Sequence, residues 1–502
     1  MTVAAIDAGT TGVRCMLVDS KGAVLGLGRR PWGYSTPPNL EIAKEFDASE
    51  FWKLTCAAVT DALAVSKVAP SEIKAVATTS QRHGAVFLDA RNDAVYAGPN
   101  IDARGAMTQY VIEDEMGSAY QEITGCWPPL MYSPTRLAWF EEEDPGAFSK
   151  IRKILSISDW LTHCLSGEFV TEPSAASGTG FLDVRTKSWS SEVMALLGVD
   201  DDMLPDIRQA GDVVGQVSSE AAKETGFAAG TRVVQGGSDT SCALLAASAA
   251  DGEITVIAGS TTPVMLVVNR PICSADQAVW TGCHVVEGRW ILESNATLTG
   301  SYLDWLVRLL CERSKDPKEC AALIYDDLSS IVDSVPVGSN DTFIALGPSI
   351  MDCRRMTDIP QARMFFPQPA LPQVTPLSSA SLIRGVIENI AYAVRGNIEQ
   401  LERYGVASCI KTVGGMTKSD IWASLLANVV GRPIEWPVES EGSLLGAAIC
   451  ASVGAEVYDG LGDAMQEMVH WRKQRAPDKQ SERYNSYYQR WRDIWCRGDD
   501  HA

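Results

Sequence analysis

No uninterrupted run of apolar residues in this chain approaches the length that crosses a membrane. The amino terminus carries neither the basic stretch nor the apolar segment of a secretory leader. These absences argue against a membrane role and predict residence in the cytoplasm. Basic residues are scarce as well: 43 Lys and Arg stand against 63 Asp and Glu, a net charge of −20. That balance argues against nucleic acid or an anionic membrane as the main partner. It does not argue against ATP, because backbone N–H groups and a bound cation offset charge locally near phosphates. The 13 cysteines (Cys15, Cys56, Cys126, Cys164 and onward) include no CxxC pair and no accompanying ladder of histidines. They read as small core residues in a reducing compartment, not as zinc ligands or disulfides. There is also no low-complexity linker, so any domain boundary must be a short hinge.

What is present is enough apolar material for more than one core: 502 residues, 46% of them hydrophobic, make two domains the default. The chain opens on a strand, Val3 to Asp7, that runs into the turn Ala8-Gly9-Thr10-Thr11-Gly12. A second strand, Cys15 to Asp19, follows. Such a turn sets backbone N–H groups and hydroxyls around an anion and leaves Asp7 at the strand end, where a carboxylate holds a hard cation. The same design recurs half a chain later, with a strand Glu253–Ala258, the turn Gly259-Ser260-Thr261-Thr262 and a strand Val264–Val268. Two such units suggest duplicated domains facing one nucleotide. A pair of unrelated hairpins is the plainer alternative.

Two further segments favour duplication. Arg232 to Gln235 is an apolar strand that ends in Gly236-Gly237 and presents Asp239 at a rim. Ile410 to Val413 is a strand followed by a glycine turn, whose side-chain-free backbone suits a purine face, and then by a helix Asp420–Val430. Elsewhere, Ala48 to Val68 reads as a helix capped near Asp47, and Ile73 to Thr79 as a strand leading into Gln81-Arg82-His83-Gly84. The stretch from Ser378 to about Arg403 reads as a long helix with Ile383, Val386, Ile390, Val394 and Ile398 near one face. The alternation predicts α/β layers. The tail, Val469 to Trp495, is charged and aromatic; helices docking their rings on a domain fit this acidic chain better than a base-stacking platform.

In this order the segments resemble the FGGY carbohydrate kinases of the actin-like, ribonuclease-H-like ATPase superfamily, from Thr2 to about Ala455. The resemblance is carried by DAGTTGVR at the start, SQRHGAVFLD (Ser80 to Asp89), NIDARG (Asn100 to Gly105), SDWLTHCLSGEF (Ser158 to Phe169) and SAASGTGFLD (Ser174 to Asp183). It continues through GGSDTS (Gly236 to Ser241), AGSTT, VGGMTKSDIW and GSLLGAA (Gly442 to Ala448). MYSPTRLAWFEEE looks like the family's first signature, with Arg136 in place of its usual Lys. The resemblance implies two ribonuclease-H-like α/β domains with a cleft between them. Residues 1–244 would bind sugar and phosphate, residues 245–502 would bind nucleotide, and the hinge would lie near Thr240 to Gly252.

It also implies an ATP-dependent sugar kinase using Mg²⁺. Phosphoryl transfer to an alcohol needs a base at the hydroxyl, a cation on the phosphates and donors holding the group in line. Asp239 is the expected base and a second metal contact beside Asp7; its alternative role is to cap a helix from Ser241 to Ser248. Gly9, Thr10, Thr11 and Arg14 would meet the terminal phosphates from one side, and Gly259, Ser260 and Thr261 from the other. Gly414, Gly415 and Met416 would line adenine, Met416 standing where the family usually has a third Gly. Gln81, Arg82, His83, Asn100 and Asp102 resemble the sugar-contacting loops, with a plain structural role open for His83 and a scaffold role for Arg104.

The substrate is less fixed than the reaction. Asn100–Arg104 and Ile157–Leu161 look like the autoinducer-2 kinases, whereas Leu303–Leu306 looks like the xylulose kinases. Against the latter, Asn100-Ile101-Asp102 replaces Trp-Asn-Asp, and Thr240 replaces Asn. The leading expectation is a ketopentose such as xylulose, with linear dihydroxypentanedione as the alternative and a homodimer admissible. A chaperone-like ATPase would not need the sugar loops, and an inactive sugar sensor would not need both Asp7 and Asp239.

Overall fold

The opening strand, β1 (Thr2–Gly9), is buried along nearly its whole length. It pairs antiparallel with β2 (Gly12–Asp19), which pairs antiparallel with β3 (Val24–Pro31). On its other side β1 runs parallel to β4 (Ile73–Ser80). The edge strand β5 (Val213–Gln216) and its neighbour β6 (Arg232–Val234) complete the order β5-β6-β4-β1-β2-β3, with β6 parallel to β4. In this computed structural model a second sheet repeats the plan. It contains β7 (Ile254–Ile257), β8 (Pro263–Val268), β9 (Trp290–Asn295), β10 (Ile410–Val413) and β11 (Ile434–Glu435) in the order β9-β8-β7-β10-β11, which repeats β3-β2-β1-β4-β6, with a further edge strand, Trp280–Cys283, beside β9. Again the second strand is antiparallel to the first, while β7, β10 and β11 are parallel. Two α/β units built on one strand order are the duplication the sequence predicts, in the actin-like ATPase fold.

The structure describes residues 1–274, 276–356, 362–368, 377–472 and 474–496. One compact unit comprises Met1–Asp251, Val267–Leu292 and Glu441–His470; the other comprises Gly252–Leu266, Glu293–Ser440 and the segment from Trp471 onward. No helix among the described residues is long and apolar enough to cross a membrane.

Both faces of the first sheet are covered, so its central strands read as continuous apolar runs. Ala4, Ile6 and Ala8 face one core with Val13, Cys15, Leu17, Phe51 and Val59. Val3 and Ala5 face the other with Met16, Val18, Leu444, Leu445 and Ala448. The first core is closed by helix Ala48–Ser66, whose cap Asp47 accepts from Ser49 N and Glu50 N at 2.8 and 3.0 Å. The SDWLTHCLSGEF motif is a helix, Ile157–Ser166, set by a reciprocal capping box between Ser156 and Asp159.

The second core is closed by helix Gly442–Gly454, which packs on helix Asp239–Ala246. Their contact allows no side chain at Gly446, where a Cβ would fall 1.9 Å from the Cys242 carbonyl oxygen. In the second unit the predicted long helix spans Ser379–Leu401 and buries Ile383, Val386, Ile390, Val394 and Ile398. The aromatic tail forms helix Ser481–Cys496 and docks on it. Trp491 Nε1 donates to Asn389 Oδ1 at 2.7 Å, Tyr488 OH donates to Glu399 Oε2 at 2.7 Å, and Arg384 Nη2 donates to Tyr484 OH at 2.6 Å.

Gly446→Val should therefore cost on the order of 1–3 kcal/mol of stability through overpacking. Turnover should fall further than stability implies, because the displaced helix carries Asp239. Denaturant midpoints and kcat, measured in parallel, check both; wild-type values for each would refute the contact.

Candidate active site

The register of β1, β2 and β3 sets Asp7 opposite Arg14 and Arg14 opposite Arg29, so three charged side chains share one cross-strand row. Asp7 is wholly buried. Its Oδ2 accepts from Arg14 Nη2 and, at 2.5 Å, from Ser443 Oγ at the start of helix Gly442–Gly454. Arg14 also donates to Glu441, whose second oxygen accepts from Arg29 Nη2 at 2.7 Å. Asp7 foremost, with Glu441, holds the Arg14 guanidinium firmly charged. Asp7 Oδ1 is buried and has no partner among the described residues.

Asp239 stands at the first position of helix Asp239–Ala246, and the capping task belongs to Ser238, whose Oγ accepts from Ser241 N at 3.4 Å. The carboxylate is thus released from the alternative role; its Oδ1 accepts from Thr240 N at 2.7 Å. Burial pushes the Asp239 carboxyl up to about 7, with Arg82 opposing, Asp7 adding, and Arg14 opposing. These are the charges that surround it: one acid, two arginines.

The Gly9-Thr10-Thr11 turn is braced from behind. Trp32 Nε1 donates to Gly9 O at 3.1 Å, Tyr34 OH donates to Thr10 O at 2.6 Å, and Gln81 Nε2 reaches Gly9 O at 3.3 Å. Asn100 Nδ2 donates to Thr10 Oγ1 at 3.3 Å, and Asn100 N donates to Gln81 Oε1 at 3.1 Å. Thr11 is exposed. Gln81 and Asn100 therefore tie the expected sugar loops to the expected phosphate turn.

His83 adopts a left-handed backbone, φ 63°, an uncommon state for a side chain of this size. Its ring meets Tyr132 and Trp280 edge-on. Burial first, then Arg82, pulls its pKa down to about 3, so the ring is neutral. Nδ1 lies 3.1 Å from Gly178 O and, facing a carbonyl, must carry the hydrogen. Nε2 is then the ring's acceptor.

Asp102 departs from the expectation. Its carboxylate turns into the protein, accepting from Arg104 Nε at 2.8 Å, Tyr96 OH at 2.5 Å and Lys44 N at 3.1 Å. Arg104 completes the link at 2.6 Å from Glu45 Oε1. Two aromatic rings, Tyr96 and Trp139, lie 4.6 and 4.7 Å from its guanidinium carbon. A carboxylate this enclosed needs the adjacent guanidinium, and that pairing is why it faces inward.

In the second unit, Thr299 Oγ1 donates to Gly259 O at 3.3 Å and Ser301 N donates to Ser260 O at 3.3 Å. The side chains of Ser260 and Thr261 are exposed. Gly414, at φ 106°, backs onto Ala258, whose oxygen would lie 2.6 Å from an added Cβ. Met416 N donates to that same oxygen at 3.1 Å. Met416 has an ordinary negative φ, so the turn accepts a side chain where a third glycine was the family expectation. Gly415 is exposed, with nothing near its Cβ position.

Sequence reasoning missed Glu441 and Ser443. The GSLLGAA motif pointed at their neighbourhood, but nothing in it announces a partner for Asp7, 436 residues away along the chain.

Two sheets that share a five-strand order give the two-unit plan of the actin-like ATPase class. Residues 2–246 match the N-terminal domain of the FGGY family of carbohydrate kinases, and residues 254–455 match its C-terminal domain. The chain belongs to this family and is a carbohydrate kinase; enzymes of the family use ATP. It is 30% identical to an autoinducer-2 kinase of Yersinia enterocolitica, over 94% of this chain and 90% of that one. It is 29% identical to one of Klebsiella pneumoniae, over 98% and 93%. A ligand-bound xylulose kinase of Lactobacillus acidophilus shares the fold, with a TM-score of 0.83 at 19% identity over 98% of this chain and 97% of that one.

Because Asp239 holds its proton to about pH 7 in the folded state, the native protein binds more protons than the unfolded chain between the ordinary carboxylate range and 7. This group therefore lowers stability as pH rises through that window. Asp239→Asn should melt above wild type at pH 8, with the advantage vanishing toward pH 4. Melting curves across pH test the sign; a variant less stable at pH 8 would refute it.

Proposed function

We propose that the chain transfers the γ-phosphoryl group of ATP to a hydroxyl of a small polyhydroxylated carbonyl compound, with Asp239 as the general base. The observation that carries this is the state of Asp239. It is freed from capping by Ser238, raised to about 7, and set in the field of Asp7, Arg82 and Arg14. A base titrating near the operating pH takes a hydroxyl proton most effectively.

The Gly9–Thr11 turn offers donors to phosphate oxygens, and Arg14 supplies positive charge beside them. Gly259, Ser260 and Thr261 offer the same kind of donors on the second unit, and Gly414, Gly415 and Met416 offer a flat surface for adenine. A divalent cation suits Asp7: Oδ1 is a buried hard oxygen with no protein partner. Mg²⁺ binds through one or two carboxylates, such as Asp7 and Asp239, plus phosphate and water. When bound, it would neutralise phosphate charge.

For the acceptor, Arg82, the neutral Nε2 of His83 and Asn100 provide polar contacts, with Asp102 holding the loop from behind. The linear dihydroxypentanedione is the favoured substrate, because relatives aligned over almost the whole chain are named autoinducer-2 kinases. A ketopentose is the second reading, favoured by the Leu303–Leu306 segment. ADP release measured across dihydroxypentanedione, ketopentoses and polyols decides between them.

Asp239→Asn should lower kcat by at least about a hundredfold while leaving ATP affinity intact, since the amide keeps the shape and loses the base. Wild-type turnover in that variant would remove Asp239 from this role. In the wild type, kcat/KM should rise with pH to a plateau above about 7, with no such limb in the residual activity of the Asn variant.

A further inference from the structure

We propose that Arg136 is a positioning residue that locks the two acceptor loops, 81–84 and 99–102, into one wall, so that sugar recognition depends on a guanidinium that does not itself face the sugar. The inference rests on the sugar-kinase reading of those loops. Arg136 lies in helix Ser133–Glu143 and is wholly buried. Nη1 donates to His83 O at 2.5 Å, and Nη2 donates to Pro99 O and Asp102 O, each at 3.1 Å. Nε comes within 3.8 Å of Asp102 Oδ2 without bonding to it.

These bonds go to carbonyls and not to an acid. Asp102 already takes hydrogen bonds from Arg104, Tyr96 and Lys44 N, so beyond its charge, which Asp102 offsets at 3.8 Å, Arg136 spends its directional bonds on the loops. The carbonyl it grips on the first loop belongs to His83, the residue held at φ 63°. Such a conformation persists where its surroundings over-determine it. On the second loop it grips carbonyls on either side of Asn100 and Ile101. The strands that flank these loops pair at Ala85 and Gly98, and Asn100 N donates to Gln81 Oε1; Arg136 joins the loops beyond that ladder through three carbonyls.

A planar fork reaches three carbonyls from two loops in fixed directions. The ammonium of the family's usual Lys is one point on a flexible stem, so in this chain it is the fork that spans the three carbonyls. Reacting groups displaced by about 1 Å lose rate by orders of magnitude. Loosening this joint should therefore be felt at the acceptor and not at the nucleotide.

The test is Arg136→Lys, which keeps the charge and removes the fork. Its acceptor KM, acceptor ranking, kcat, ATP affinity and sugar-independent ATP hydrolysis are compared with wild type, using the best acceptor of the panel. The expected result is an acceptor KM raised at least about tenfold, ATP affinity within about twofold, and a larger fraction of ATP hydrolysed without product. Arg384→Lys is the control. Arg384 is a buried arginine of the second unit that bonds Val332 O, Val335 O and Tyr484 OH, and its replacement should lower the melting point without moving acceptor KM. An unchanged acceptor KM and ranking in folded Arg136→Lys would overturn the proposal. So would an equal KM shift in the control, or an Arg136→Lys chain that fails to fold, since the role assigned lies in the loops and not in the core. A wild type that releases ADP with no acceptor would sink the sugar-kinase reading and this proposal together. An active wild type matched by Arg136→Lys would sink this proposal alone.

Discussion

Taking a carboxylate wholly out of water costs several kcal/mol unless charge and hydrogen bonds replace the lost hydration. Asp7 incurs that cost at the end of the central strand, and much of the first unit is arranged around the repayment. Arg14 reaches it across the β1–β2 pair, Ser443 reaches it from the start of helix Gly442–Gly454, and Glu441 balances the second half of the guanidinium. The helix that delivers Ser443 is also the one that packs through Gly446 on helix Asp239–Ala246. Satisfying Asp7 thereby fixes the position of Asp239. The acid proposed for the metal and the acid proposed as base are placed by one set of contacts.

The loops around this pair divide the work between groups that face outward and groups that hold them. Thr11 is exposed, whereas Trp32, Tyr34, Gln81, Arg104 and Arg136 spend their hydrogen bonds on neighbouring backbone and carboxylates. Discrimination among polyols relies on polar groups that lose free energy when a hydroxyl is missing. That penalty is collected only where the groups cannot relax, which is the service the inner set provides.

Local patterns were legible because their causes are local. The periodicity of Ser379–Leu401, the glycine turn before Asp420–Val430 and the alternation of strands and helices each follow from spacing within a few residues, and the structure has them where the sequence puts them. The aromatic tail, expected as a pair of docked helices, is one, Ser481–Cys496, because Trp471 and Arg475 bridge to Pro437 and Ile434 instead. Asp102 was placed among the sugar loops by resemblance, and only the folded chain shows its carboxylate enclosed by Arg104, Tyr96 and the Lys44 backbone N–H. Arg14 was read as a phosphate ligand; its pairing with Asp7 follows from the β1–β2 register, whereas its bond to Glu441 comes from a segment 427 positions away. The capping question at Asp239 also needed the structure, since Ser238 and Asp239 are both good caps and only the backbone says which is used.

The first sheet is not complete when its last strand, β6, has been made. One of its faces, carrying Val3, Ala5, Met16 and Val18, is covered by Leu444, Leu445 and Ala448 from near the end of the chain. During synthesis at about 5–20 residues per second, that face waits roughly 10–40 s for its cover. Nascent chains of this protein are thus sticky for a large share of their time on the ribosome. A fragment ending at residue 251 retains the exposed face permanently, which makes it a natural client for holding chaperones and a poor candidate for isolation as a stable half.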